Sequence, residues 1–252
     1  MGQLPGTADS PRQTLLFSAT IPPNVVRLAK ASLNASAFEF VQTVDPNETP
    51  TVEKVILARL DRLSPQSHEV LTAAATLGRR FALPLLEGVL DEPPGEALHE
   101  LQRLELVQQS RRWPQAEYRF RHALIQETAY RTLVASRRTA LHRRAAQWLE
   151  RRYADRDAEV LGHLAHHWLS AEDEEKAAHY LVRAGDKARQ EYALDEAIGH
   201  YQELLPLLEK RGERQQSALV LFKLALALHS ALRFAEADET YQRAFALWTP
   251  PT

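Results

Sequence analysis

LVRAGDKARQEYALDEAIGHYQELL (Leu181–Leu205) returns forty residues later as LFKLALALHSALRFAEADETYQRAF (Leu221–Phe245). Leu181, Gly185, Ala188, Ala197, Tyr201 and Leu204 of the first copy stand where Leu221, Ala225, Leu228, Ala237, Tyr241 and Ala244 stand in the second. Small residues at these spacings let two helices cross closely, and the tyrosine fills the gap they leave. Each copy therefore reads as a pair of helices, and helix pairs in tandem read as a solenoid.

Upstream of the repeat, residues 158–170 place Val160, Leu161, Leu164, Ala165 and Trp168 on a single apolar stripe, the spacing of an amphipathic helix. Before them, SRRTALHRRAAQWLERR reads as an arginine-rich helix. Ser64-Pro65 is an N-cap followed by proline at the first helical position, opening SPQSHEVLTAAATLG, which Gly78 closes. FALPLLEGVL gives a shorter second helix, and PPGEALHELQRLELV a third with Leu98, Leu101 and Leu104 on one side. LVQQS and EYRFRH follow as two strands with a turn at 111–115, and another helix comes after them.

Three helices and a two-stranded wing are in the winged-helix order, and the C-terminal helix pairs resemble tetratricopeptide units with a period longer than the usual ~34 residues. The expected fold is mainly α. Residues 1–53 are expected to be weakly ordered, 54–135 to form a winged-helix domain, and 136–252 a short right-handed solenoid of tetratricopeptide-like repeats.

Composition excludes several classes. The chain is 44% hydrophobic and 25% charged with net charge −2, and no run nears the roughly eighteen apolar residues of a membrane span. Its first residues lack the basic and apolar regions of a signal peptide, so the cytoplasm is the expected compartment. Without cysteine there are no disulfides, thiolate zinc sites or cysteine nucleophiles. The small net charge hides a polarity. Residues 54–152 hold 17 basic and 11 acidic side chains, while residues 153–252 hold 11 and 17, so different segments present different surfaces.

RQTLLFSATIPPNVVRLAKASLN (Arg12–Asn34), continued by FEFVQTVDPNETPT, resembles motif III of DEAD-box RNA helicases and the passage leaving their first motor domain. The resemblance covers residues 12–52. It implies that Ser18, Ala19 and Thr20 are the triplet linking the nucleotide site to strand separation. The sequence has no GxxxxGK[ST] loop and no Asp-Glu-Ala-Asp run. Phosphoryl transfer needs loop, magnesium and positioned nucleophile together, so no ATP hydrolysis is expected of this chain.

From residue 54 onward the chain resembles a second family, the signal-transduction ATPases with numerous domains, of the type associated with nucleotide cyclases and response regulators. LARLDRLSPQSHEVLTAAATLGRRF, YRFRHALIQETAYRTL, HHWLSAEDEEKAAHYLVRAGDKA and ALDEAIGHYQELLPLL carry that likeness. It implies a winged helix lying behind a nucleotide-binding core, then helical repeats that sense a protein partner. It also makes His122 the residue that reaches the β-phosphate of bound ADP, although Ala123 follows where the family often has an acid. With no nucleotide core in the sequence, His122 reads here as the cap of the helix that begins beside it. Both families use ATP or ADP with magnesium; this chain is expected to hold no cofactor.

HLAHH places His163, His166 and His167 opposite the apolar stripe of their helix, so a solvated face and no metal are expected. Arg137, Arg138, Arg143 and Arg144, with His142 among them, could meet a phosphate backbone. The third helix, however, offers a groove mostly glutamates, so nucleic acid is not an expected partner and the arginines are expected to pack on an acidic domain such as the repeats. No catalytic constellation stands out. At the C-terminal edge, FAEADETYQRAFALW is expected to cover the preceding helix with Phe234, Tyr241, Phe245 and Trp248, leaving Phe222 and Leu226 open to self-association. The expected function is a regulatory, protein-binding region of a signalling ATPase, joined near residues 52–56 to a helicase-like piece. The alternatives are a fragment of an ATP-dependent RNA helicase and a winged-helix DNA-binding regulator.

Overall fold

The computed structural model describes residues 52–112 and 115–248. The helicase-like stretch, with Ser18, Ala19 and Thr20, lies outside them, as does the expectation of weak order there. Among the described residues the chain is mainly α with one small sheet. No helix in them is long and apolar enough to cross a membrane.

The first part builds one core. Helix α1 (Val52–Leu60) leads to α2 (Pro65–Leu77), then β1 (Arg80–Ala82), α3 (Leu83–Val89), α4 (Gly95–Arg103), β2 (Val107–Arg111), β3 (Glu117–Phe120) and α5 (Ala123–Thr132). The expected cap of α2 is present: Ser64 Oγ accepts from the Ser67 amide at 3.1 Å, Pro65 is the first helical residue, and Gly78 ends the helix at φ 109°. That left-handed backbone suits a residue without Cβ. The sheet has the order β1-β3-β2, all antiparallel, with Phe81 opposite Tyr118 and Val107 opposite Phe120. Sequence reading took FALPLL as purely helical, because three residues of strand are too short to show a period. The Phe81 ring stacks on Tyr118 and meets Phe120 at a tilt, and the three join Leu71, Leu86, Leu101, Leu106 and Ile125 in the core. Leu104 departs from expectation. It ends α4 and is 38% exposed, and Leu106 is buried in its place after Glu105 turns the chain at φ 56°.

Helix α6 (Ala135–Arg152) links this core to the helix array. It buries Leu141 and Ala145 on the first core, and Ala146 and Leu149 on a second. A 3₁₀ turn follows, and then five antiparallel helices: α7 (Leu161–Ser170), α8 (Glu174–Gln190), α9 (Leu194–Lys210), α10 (Arg214–Ser230) and α11 (Phe234–Trp248). The expected stripe of α7 is buried at Leu161, Leu164, Ala165 and Trp168.

The forty-residue period has a simple origin. Helices α8, α9 and α10 each have 17 residues. The turns before, between and after them each place one residue in the left-handed region: Glu172, Tyr192, Gly212 and Leu232, at φ 58–68°. The next residue's amide then reaches back across the helix end, Asp173 to Trp168, Ala193 to Ala188, Glu213 to Leu208 and Arg233 to Leu228, at 2.8–3.1 Å. This is the Schellman arrangement, and it satisfies carbonyls that a helix end leaves orphaned. The same four residues accept the first bond of the following helix, from Ala177, Ala197, Ser217 and Ala237. One helix ends and the next begins on the same residue.

Candidate functional site

Polar side chains are concentrated where α6 meets α7 and α8. Glu150, near the end of α6, accepts from Trp168 Nε1 at 3.0 Å, the Tyr180 hydroxyl at 3.0 Å and Lys176 Nζ at 3.1 Å. Lys176 lies 4.0 Å from the Trp168 ring centre, so one carboxylate ties three helices together around a cation–π contact. Burial, with Glu150 beside it, pushes the Tyr180 phenol up to about 12.

About two turns back along α6 from Glu150 lies a histidine cluster. His142 is fully buried, and its Nε2 is 3.0 Å from the Tyr130 hydroxyl on α5. Its Nδ1 is 2.9 Å from Nδ1 of His167 on α7, which is 2% exposed. His166 completes the triangle from the exposed rim, and one ring nitrogen from each of the three lies within 4.8 Å of the other two. Desolvation, reinforced by the neighbouring imidazoles, pushes His142 down to about 4 and His167 down to about 2. His166 also opens on a groove between α7 and α9, lined by Gly162, His163, Gly199, His200 and Glu203.

This corrects the expectation that His163, His166 and His167 all face solvent. A stripe argument gives a helix one buried face, but α7 lies between α6 and α8 and buries two. His163 and His166 are exposed; His167 is not. His142 was counted with the arginines as part of a basic surface, and it is core instead. The residues that sequence reasoning missed are His142 and Tyr130 as partners of the HLAHH run. A histidine among arginines, 25 residues from its contact, carries no local signal.

Arg137, Arg138, Arg143 and Arg144 of α6 are engaged within the chain. Arg137 pairs with Glu69 on α2. Arg144 pairs with Asp91 at 2.9 Å and donates to Val89 O, Arg143 donates to Ala171 O, and Arg138 lies over the Tyr130 ring. Their carboxylate partners belong to the first core rather than to the acidic repeats. His122 occupies the N-cap position of α5, but its exposed side chain makes no capping hydrogen bond.

A third feature is apolar. Leu219, Phe222 and Leu226 fall on one stripe of α10, and Tyr241, Phe245 and Trp248 on one stripe of α11. The Phe222 and Tyr241 rings meet edge to face at 5.6 Å and join the two stripes. Phe245 and Trp248 are 65% and 68% exposed. They do not cover α10, as expected from sequence; Ala237, Thr240 and Ala244 make that packing face.

The chain matches no protein-family model and no solved structure. It is 28% identical over 223 residues to the uncharacterized protein R02095 of Rhizobium meliloti (strain 1021), covering 83% of this chain. The chain spans only 19% of that relative's length. It is also 50% identical over 52 residues to the mitochondrial ATP-dependent RNA helicase cyt-19 of Neurospora crassa, covering 21% of this chain and 8% of the helicase. A short part of this chain is thus similar to a short part of an RNA helicase.

Proposed function

We propose that residues 52–248 are the regulatory, partner-binding region of a larger signal-transduction ATPase. In this reading, a winged-helix bundle (α2 to α5) is followed by tetratricopeptide-like repeats (α8 to α11), with no catalysis of its own. The observation that carries the reading is the set of exposed apolar side chains Leu219, Phe222 and Trp248 on α10 and α11 of a tandem helix array, the kind of surface such arrays use to hold other polypeptides. The match to one section of a much longer relative supports it. The helicase-like stretch is read as motif III and its continuation alone, without the parts that bind and cleave ATP.

The test uses the longer Rhizobium relative. ATP turnover is measured for the full-length protein and for a version lacking the section this chain matches. Deletion is expected to change basal turnover several-fold while leaving the nucleotide site competent. Turnover unaltered by the deletion, or absent from both proteins, would overturn the proposal.

A further inference from the structure

We propose that His142, His166 and His167 form a binding site for a divalent first-row transition-metal ion, with zinc as the matching case. Imidazole suits zinc, copper and nickel among such ions. A tetrahedral zinc with Zn–N bonds of about 2.05 Å holds its ligand nitrogens about 3.3 Å apart and its imidazole centres about 5.2 Å apart. The three ring centres here stand 5.1, 5.3 and 5.5 Å from one another. The Nδ1 atoms of His142 and His167 are 2.9 Å apart, so a widening of about 0.4 Å admits the ion between them.

The surroundings fit the same assignment. His142 Nε2 has its own partner in the Tyr130 hydroxyl, the outer hydrogen bond that orients a ligating histidine and leaves the other nitrogen to the metal. The two buried rings are fixed by α6 and α7, and His166 stands at the rim. Entry is through the groove where His163, His200 and Glu203 lie. Three protein nitrogens would leave a fourth position facing that groove, open to water or to a ligand from outside.

The full chain, freed of any affinity tag and treated with chelator, is titrated with zinc chloride and, separately, cobalt chloride. Retention of one zinc per chain through gel filtration is expected, with the visible d–d absorption of four-coordinate cobalt. His166→Ala removes a ligand at the rim while leaving the buried pair intact. It is expected to weaken zinc binding by more than the roughly 10–100-fold that loss of an outer partner costs, with an unchanged metal-free melting curve. Tyr130→Phe should weaken binding by about tenfold. His163→Ala with His200→Ala, groove residues outside the ligand triangle, should leave it within about twofold. Retention of no zinc would overturn the proposal and make the His142–His167 contact a proton-bridged core pair. Binding that survives His166→Ala, or that disappears only with the groove variants, would equally overturn it.

Discussion

Gly185 on α8 lies against the ring of Tyr201 on α9. A Cβ at that glycine would sit 2.6 Å from Cε1 of the ring, closer than real carbon contacts come. Tyr201 is fully buried and its hydroxyl donates to Asp186 at 2.7 Å, so the ring has no room to retreat. Gly185→Ala is expected to cost ~1–3 kcal/mol, read from the midpoint of urea unfolding, and an unmoved midpoint would show that the helices can part. This crossing was legible in the sequence because a small residue (Gly185, Ala225) and a tyrosine (Tyr201, Tyr241) recur in fixed register. The histidine cluster was not, since its members come from two helices and one has no periodic neighbour to mark it. Tyr180 and Tyr201 also make a prediction about alkali. Burial and a neighbouring carboxylate raise both phenols above their ordinary value near 10, Tyr180 to about 12. The folded chain then keeps protons that the unfolded chain gives up, so stability holds below pH 10 and falls as pH climbs toward 12. Melting temperature should decline over that window, and less steeply in Tyr180→Phe. An equal decline in both would assign the loss to other groups.

Among the elements, the turns decide more than the helices do. Four turns share one bonding scheme, yet only one has glycine at its left-handed position. Leucine there is strained by its Cβ, typically by about 1 kcal/mol. Leu232 is 74% exposed, so nothing is lost from the core by replacing it. Leu232→Gly is expected to raise stability by ~0.5–1 kcal/mol, and Gly212→Ala to lower it by about 1 kcal/mol, both read by thermal melting. A destabilised Leu232→Gly would mean that its side chain packs usefully against the helix end. Helix positions were visible from the repeat, and so was its length. The turn chemistry was hidden because glutamate, tyrosine and leucine do not announce a left-handed backbone. The shift of strand β1 into what looked like helix has a similar cause: pairing with β3 supplies hydrogen bonds that local sequence does not encode.

Across the whole molecule, charge polarity turned out to be a weaker organiser than apolar periodicity. The carboxylates that pair with the arginines of α6 are Glu69 and Asp91, and the acidic segment meets this row at one backbone carbonyl, Ala171 O, which accepts from Arg143. What the repeats do present is the joined stripe of Phe222, Tyr241, Phe245 and Trp248. An apolar surface of this kind favours contact with a second copy when no other partner is supplied. Light scattering is expected to show mass rising with concentration, and Phe222→Glu with Trp248→Glu to suppress it. Wild type that stays monomeric at high concentration would rule this out. The sequence left Phe222 and Leu226 open, whereas Phe222 is 43% exposed with its ring against Tyr241 and Leu226 is half-buried. It aimed Phe245 and Trp248 inward, because a stripe of aromatics looks the same from either side until the neighbouring helix is placed.

The shared hinge between successive helices has a mechanical consequence. From α7 onward each helix packs chiefly on the one before it and the one after it, and each turn repeats at 20-residue intervals. Tension applied at residue 248 would therefore load one helix at a time, like pulling links from the end of a chain. Each yielding step would release roughly 70 Å of backbone, 20 residues at about 3.5 Å apiece. The array would act as a graded spring, lengthening in even increments under load.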